Sequence, residues 1–184
     1  MRTCTRYLYW CTLRSIGLFP CNPIRTRFCC RKILIFSGLF GILSPNDSIP
    51  AYRLAMGTKL PNLGNNKTLW KHELKDFSAG NRELVIDCRS GSYQVWNPPE
   101  SADWITVTAV RDKNGQRKVI SHNTKYFRGL LANALIKSQI DIEDGEQLTE
   151  FVLTNLAGNS KIDSAELTPA AANGARKLIL VQKC

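Results

Sequence analysis

The amino-acid sequence predicts an α/β (α+β) fold in which helices pack on a mixed β-sheet. Short β-rich segments alternate with helical patterns along the chain, and two adjacent β-rich segments fit a hairpin. Alternation favours parallel strands, whereas a hairpin requires an antiparallel pair, so both pairings are expected in one sheet. The 184 residues, of which 43% are hydrophobic and 22% charged, suffice for one domain with its own core.

The predicted strands are short runs rich in β-branched and aromatic residues. A buried strand in Arg31–Ser37 begins the structured part, and Glu83–Asp87 and Lys177–Gln182 are further strands. Trp104–Arg111 and Lys118–His122 flank the sequence Asp-Lys-Asn-Gly-Gln. We therefore expect these two strands to form a hairpin with Asn-Gly at its tip.

Three helices are predicted from apolar residues at helical spacing and from capping residues. The first is Thr68–Phe77, and its Trp70 is expected to pack in the core. The second, Thr124–Lys137, has the best-marked apolar stripe of the chain. The third, Glu146–Asn155, is preceded by a capping-box pattern that begins at Asp144.

Charge and cysteine are concentrated at the start of the chain. The formal net charge is +10, of which +7 lies in the first 46 residues and +3 in the other 138. Five of the seven cysteines fall in the first thirty residues, without the paired C-x-x-C spacing of a zinc site. We therefore separate residues 1–30, an atypical basic segment expected to be disordered or non-native, from the domain at 31–184.

The sequence contains no motif for a nucleotide cofactor, a catalytic metal or an esterase-type nucleophile. G-x-G-x-x-G, G-x-x-x-x-G-K-[ST], H-E-x-x-H and G-x-S-x-G are absent, and only two histidines occur. We therefore predict no cofactor and no metal site, and no enzymatic reaction is evident. The longest apolar run, Ile33–Leu43, is shorter than the about 20 residues that span a bilayer, so no membrane partner is expected.

Two basic residues mark the start of the long helix as a candidate anion site. Lys125 and Arg128 are three residues apart and therefore share a helix face. Free backbone N–H groups, the positive end of the helix dipole and two cations together favour phosphate or another anion. The alternative, that both side chains reach carboxylates elsewhere in the fold, carries equal weight.

Two other segments hold candidate ligand contacts. Tyr52 and Arg53 lie between two loops, where the arginine either binds an anion or ties the loops together through backbone carbonyls. A second group follows a predicted strand end, the usual place of ligand contacts in α/β folds: Asp87, Arg89, Ser90 and Tyr93. Ordinary loop capping by Asp and Ser is the alternative for this second group.

Four segments carry short motifs in a fixed order. Ser37-Gly-Leu-Phe-Gly-Ile-Leu-Ser-Pro-Asn-Asp is followed by Pro50-Ala-Tyr-Arg-Leu-Ala-Met-Gly57, then by Asp87-Cys-Arg-Ser-Gly-Ser-Tyr93 and Lys125-Tyr-Phe-Arg-Gly-Leu-Leu. They resemble the S-G-L-Y-G-x-L-R-P-x-D, P-Y-R-L-E-M-G, N-L-A-S-x-E-Y and A-K-x-A-R-G-L-M motifs of the YaaA family of peroxide-stress proteins. The resemblance extends from about Arg31 to the C terminus.

The resemblance implies a cytoplasmic protein that helps cells survive hydrogen peroxide by limiting unincorporated iron. It also implies a mixed α/β fold with a basic cleft and no established enzymatic reaction. Family members are longer at the N terminus, so residues 31–184 are expected to be the C-terminal portion of a YaaA-like domain that is incomplete here. Phe40 and Ser44 stand where the family has Tyr and Arg, which removes a hydroxyl and a cation from this copy.

The leading functional hypothesis is a peroxide-stress protein whose basic cleft binds DNA or another phosphate-bearing ligand. We expect cations to contact phosphates and tyrosines to stack or donate hydrogen bonds, at Arg53, Lys125, Arg128, Tyr52 and Tyr93. The alternatives are a fragment of an enzyme that acts on a nucleotide or nucleobase, and a truncated remnant without function.

Overall fold

The computed structural model describes residues 2–3, 32–78, 80, 83–158 and 161–182 of the chain. The prediction of a disordered or non-native segment at residues 1–30 therefore lies outside the described residues, apart from Arg2–Thr3. Within the described part, no helix is both long enough and apolar enough to cross a membrane.

The first half of the described chain is built from short paired strands and one helix. In chain order these are β1 (Arg2–Thr3), β2 (Ile35–Ser37), β3 (Gly41–Leu43), β4 (Ser48–Ile49), β5 (Lys59–Leu60), β6 (Gly64–Asn65) and α1 (Asn66–Glu73). β2 pairs with β3, β5 with β6 and β1 with β4, all antiparallel. The strand predicted at the start of the structured part thus belongs to a two-stranded hairpin.

The second half contains a five-stranded mixed sheet and two long helices. Its elements are β7 (Leu84–Asp87), β8 (Asp103–Lys113), β9 (Gln116–Val119), α2 (Ser121–Ser138), α3 (Gly145–Asn155), β10 (Ile162–Leu167) and β11 (Arg176–Gln182). The strand order is β10-β11-β8-β7, and β9 pairs with the far end of β8. β8 is parallel to β7 and β11, whereas β8–β9 and β10–β11 are antiparallel, so the predicted mixed α/β fold is confirmed.

The main core lies between this sheet and the helices α2 and α3. Alternate residues of β8 point to it, because successive side chains of a strand face opposite sides. Its most deeply buried members, each at most 1% exposed, are Ile105, Val107, Ala109, Phe127, Leu131, Leu148, Val152, Leu178 and Leu180. The apolar stripe predicted for the second helix therefore does face the core.

The first helix differs from its prediction at both ends. Asn65, not Thr68, is the N-cap, and its side chain accepts a hydrogen bond from the backbone N–H of Lys67 at 2.9 Å. The helix ends at Glu73, so Phe77 lies beyond it and is 36% exposed. The prediction failed because a stronger cap precedes Thr68 and because Leu74 leaves helical geometry.

The second helix begins at Ser121, three residues before the predicted Thr124. The preceding strand ends at Val119, so the prediction of a strand that continued to His122 was wrong at its last three residues. The hairpin itself is confirmed: Asn114 and Gly115 form its tip with φ angles of 53° and 80°, the left-handed values of a two-residue turn.

The third helix confirms the predicted cap, whereas one strand of the five-stranded sheet, β10, was missed. Asp144 accepts a hydrogen bond from the backbone N–H of Gln147 at 2.8 Å, and the Gln147 side chain accepts from the backbone N–H of Glu143 at 3.2 Å. β10 has a polar sequence that carries little strand signal. It is a strand because it pairs with β11, the closing strand that the sequence did predict.

Candidate functional site

The motif segments of the first half meet at the backbone carbonyl of Gly38. This carbonyl accepts hydrogen bonds from Asn66 Nδ2 at 2.7 Å and from Trp70 Nε1 at 3.0 Å. Gly38 lies so close to the segment after Arg53 that a Cβ atom would stand 2.5 Å from the carbonyl oxygen of Leu54. The glycine of the motif is therefore required by close backbone approach.

Ser37 and Tyr52 hold the same turn from the other side. Ser37 is fully buried, and its Oγ accepts hydrogen bonds from the backbone N–H groups of Leu39 and Phe40 at 3.2 and 3.0 Å. Its Oγ also lies 2.6 Å from the hydroxyl of Tyr52. Because both serine lone pairs are engaged, the serine hydroxyl donates to Tyr52. Tyr52, predicted as a ligand contact, thus fixes the hairpin turn.

Arg53 has the opposite environment to its neighbour. Its side chain is exposed, whereas Tyr52 is half-buried and Met56 is completely buried. No carboxylate in the part of the chain that the structure describes forms an ion pair with Arg53. The alternative prediction was that this arginine ties loops together through backbone carbonyls. Among the described residues, Arg53 donates no hydrogen bond to a backbone carbonyl.

Asp87 and Arg89 pair with each other at the carboxyl end of β7. Arg89 Nε and Nη2 donate to the two carboxylate oxygens of Asp87, each at 2.8 Å, and the Arg89 backbone N–H donates to the same carboxylate at 2.9 Å. The side chains are 11% and 1% exposed for Arg89 and Asp87. Two predicted site residues are therefore an internal ion pair, and a role for either in ligand binding stays a prediction.

Aromatic residues enclose the guanidinium of Arg89. Its Cζ lies 4.3 Å from the ring centroid of Phe36, and its Nη2 donates to the carbonyl of Trp96 at 2.9 Å. Trp104 Nε1 approaches the Asp87 carboxylate at 3.4 Å. Arg89 Nη1 is buried without an acceptor among the described residues. The pair therefore links the sheet to the hairpin that carries Phe36.

The ionisation of the residues around β7 follows from this burial. Burial alone raises the pKa of Asp87, but the hydrogen bonds and positive charge of Arg89 outweigh it, so the net pKa lies below the ordinary 3.8. Burial and the negative charge of Asp87 raise the pKa of the Cys88 thiol to about 12. Asp87 is therefore ionised at neutral pH, whereas Cys88 is a protonated thiol.

The turn after Arg89 is a short 3-10 helix, Gly91–Tyr93. Ser90 Oγ lies 3.1 Å from Ser92 Oγ, and the carbonyl of Ser90 accepts from the backbone N–H of Tyr93 at 2.8 Å. Lys67 Nζ donates to the carbonyl of Gly91 at 2.6 Å, so α1 holds this turn. Tyr93 packs against a second cluster of buried residues, Met56, Leu74, Val95 and Trp96, and its predicted stacking role is untested.

The two predicted phosphate contacts on α2 have different environments. Arg128 Nε and Nη2 donate to the carbonyl of Val107 at 2.8 and 2.7 Å, and burial lowers the pKa of this guanidinium. Lys125 is half-buried. Because the helix begins at Ser121, the backbone N–H of Thr124 already donates to the carbonyl of Ile120 at 2.9 Å. The N–H groups that the helix leaves free therefore precede Thr124, and the anion site at Lys125 and Arg128 stays a prediction.

Sequence reasoning overlooked three residues that build this region. Asn66 is 1% exposed, and its side chain donates to the carbonyl of Gly38. The carbonyl of Trp96 accepts from the Arg89 guanidinium, and the indole N–H of Trp104 donates to the Asp87 carboxylate. A buried asparagine at a helix start has no distinctive sequence pattern. Trp96 and Trp104 follow Asp87 by nine and seventeen residues, and only the tertiary fold brings them close to it. Among the described residues, no group of three His, Cys, Asp or Glu side chains could hold a metal ion.

The fold and these contacts define a mixed α/β protein in which four short motifs converge on one turn and one strand end. Over residues 20–161 the chain matches the sequence model of the family described as "Peroxide stress protein YaaA". The chain belongs to this family. The match begins at residue 20, whereas the motifs had placed the start of the resemblance at about Arg31.

Several curated relatives carry the name UPF0246 protein. The chain is 36% identical over 121 residues to one from Corynebacterium glutamicum, covering 64% of this chain and 49% of the relative. It is 41% identical over 111 residues to one from Corynebacterium efficiens, covering 58% and 45%. For a Streptomyces coelicolor relative the identity is 34% over 139 residues, covering 74% and 54%. The chain thus spans about half the length of the curated relatives it matches.

Proposed function

We propose that this protein acts in the cytoplasmic response to hydrogen peroxide by limiting unincorporated iron and oxidative damage. We further propose that it does so by binding DNA or another phosphate-bearing ligand through a basic surface. Family membership supports the link to peroxide stress.

The ligand proposal depends on Arg53, whose exposed side chain lies on an anchored segment. Its segment is anchored by the Tyr52–Ser37 contact and by the buried Met56, so the backbone that carries the arginine is held in place. Its guanidinium is exposed and has no ion-pair partner among the described residues. A cation on a fixed backbone loses less conformational freedom when it binds an anion, which favours affinity.

The remaining predicted contacts contribute unequally to this proposal. Lys125 is half-buried on α2 and is the second candidate phosphate contact. Arg128 donates to a backbone carbonyl through both Nε and Nη2, so replacing it would disturb the fold as well as any ligand. A binding test therefore uses Arg53 and Lys125 and leaves Arg128 intact.

The ligand test is a salt titration of binding to a labelled DNA duplex, measured by fluorescence anisotropy. Arg53→Gln and Lys125→Gln should each reduce the slope of log affinity against log salt by about 1, since each lost phosphate contact releases about one counterion fewer. Lys71→Gln, an exposed lysine of α1, is the matched control and should leave the slope unchanged. Equal slopes for all four proteins would contradict the assignment of these two contacts.

The iron test is made in peroxide-challenged cells that lack their own family member. Expression of the chain should lower the unincorporated iron seen by electron paramagnetic resonance of chelator-treated cells. Arg53→Gln should lose this effect if ligand binding and iron limitation are one activity. An unchanged iron signal with the wild-type chain would contradict the iron proposal independently of the DNA result.

A further inference from the structure

The β8–β9 hairpin carries charges whose arrangement differs between its two faces. Residues opposite each other in the ladder are Arg111 with Lys118, Asp112 with Arg117, and Lys113 with Gln116. Because side chains alternate across a strand, three cations, Arg111, Lys113 and Lys118, share one face. Asp112 and Arg117 share the other.

On the Asp112 face the charges are paired. Arg117 Nε donates to Asp112 at 3.2 Å, and its two terminal nitrogens donate to the two carboxylate oxygens of Glu166, each at 2.6 Å. The exposed Val119 also lies on this face.

On the opposite face the cations have no ion-pair partner among the described residues. Arg111, Lys113 and Lys118 are all exposed, and no carboxylate of the described residues forms an ion pair with them. Arg111 and Lys118 are direct cross-strand neighbours, an arrangement of like charges that destabilises a hairpin. An anion bound between them would remove this repulsion.

The surroundings add further positive potential to this face. Arg111 and Lys113 continue the row Ile105, Val107 and Ala109, so they lie on the side of the sheet where α2 and α3 pack. α2 begins two residues after β9, and the positive end of its dipole adds to the potential there. The described part of β11 ends opposite Arg111, and beyond it the hairpin continues as a two-stranded ribbon.

We propose that this hairpin face, Arg111, Lys113 and Lys118, contacts the phosphate backbone of a DNA duplex. A two-stranded β-ribbon fits the major groove, and its cations can then reach phosphates at the groove edge. The tip, Asn114-Gly115, is polar and offers nothing apolar to enter a bilayer, which disfavours an anionic membrane as the partner. The ligand class rests on the proposed function, whereas the site uses different residues.

The experiment compares three variants with the full wild-type chain in salt titrations of duplex DNA binding. The hairpin variant is Arg111→Gln/Lys113→Gln/Lys118→Gln. The matched control, Lys59→Gln/Lys71→Gln/Lys137→Gln, removes the same net charge from exposed lysines elsewhere. We expect the hairpin variant to lower the salt slope by about 3, about one per lost phosphate contact, and the control to leave it within about 1 of wild type.

A fourth protein distinguishes loss of DNA contact from loss of folding. Lys118→Glu places opposite charges across the ladder from Arg111, so its thermal unfolding midpoint should not fall, while its DNA affinity should. Equal losses in the hairpin and control triples would overturn the inference, since net charge alone would explain them. So would binding of the wild-type chain to anionic vesicles but not to DNA.

The outcomes also separate this inference from the proposed function. If Arg53→Gln and Lys125→Gln weaken DNA binding and the hairpin variant does not, the hairpin inference fails and the proposed function stands. If only the hairpin variant weakens binding, the inference stands and the contacts proposed at Arg53 and Lys125 fail. If the wild-type chain binds no DNA, both fail.

Discussion

The two halves of the described chain are stabilised in different ways. The sheet half, residues 83–158 and 161–182, is held by apolar packing of α2 and α3 on long strands. The motif half, residues 32–78, has strands of two or three residues, and its turn is fixed by hydrogen bonds to Ser37 and to the carbonyl of Gly38. Two of the four family motifs lie in the motif half, where polar contacts and close approach tolerate fewer residue types than apolar packing does.

The Asp87–Arg89 pair joins the two halves, because Asp87 ends β7 and the Arg89 guanidinium stacks on Phe36 of the motif half. Removing one partner of a buried ion pair leaves the other charge uncompensated. We therefore expect Asp87→Asn to have the largest effect, lowering the free energy of unfolding by about 3–5 kcal/mol. Urea denaturation at neutral pH measures it, and a loss below about 1 kcal/mol would show that the pair does not couple the halves.

The same variant tests the pH dependence. The pKa of Asp87 is lower in the folded protein than the ordinary 3.8. Its contribution is therefore fully present above that ordinary value and is lost as the pH falls through the lower folded value. The stability difference between wild type and Asp87→Asn should accordingly shrink when denaturation is repeated below about pH 3.8. A difference that stays constant or grows in acid would contradict the direction of the pKa shift.

In the sheet half, the prediction concerns apolar packing alone. Leu178 lies on β11, between β10 and β8, and is 0% exposed. Leu178→Ala should lower the free energy of unfolding by about 3 kcal/mol, since it removes buried methyl groups and leaves a cavity. Leu153→Ala, at a 44% exposed position of α3, is the control and should cost far less. Equal losses for the two variants would contradict the location of the core.

In the motif half, the corresponding prediction concerns close approach. A Cβ at Gly38 would lie 2.5 Å from a backbone oxygen, which cannot move as a flexible side chain would. Gly38→Ala should therefore cost about 1–3 kcal/mol, although it adds only one methyl group. Gly57→Ala, where the added Cβ meets nothing within 4 Å, is the control. Both are measured by chemical denaturation, and similar stabilities would mean that the turn can shift freely.

The smallest effect is expected for the chemical reactivity of Cys88, which lies where the two halves meet. Because burial and Asp87 raise the pKa of Cys88 to about 12, almost none of it is thiolate at neutral pH. Cys88 should therefore resist iodoacetamide and hydrogen peroxide in the native chain and react once the chain is unfolded. Mass spectrometry of the peptide that contains Cys88 measures this, and native labelling at the rate of a free thiol would contradict the raised pKa.

Local patterns predicted most of the sheet half. The Asn-Gly hairpin, the cap at Asp144 and the apolar stripe of α2 each depend on residues close in sequence, so the pattern alone was sufficient. β10 was missed because its strand geometry depends on pairing with β11 and not on its own residues. The start of α2 was placed three residues late because its N-cap residue, Ile120, has no capping side chain that would mark it in the sequence.

The sequence by itself determined the family, the mixed fold class and the identity of the motif residues. Only the tertiary structure decided what those residues contact. Arg89 pairs with Asp87 and Arg128 with a backbone carbonyl, because burial requires a partner for each guanidinium. Arg53 and the three cations on one face of the β8–β9 hairpin are among those left exposed. Sequence records charge, but which charges remain available for a ligand depends on which groups the fold brings beside them.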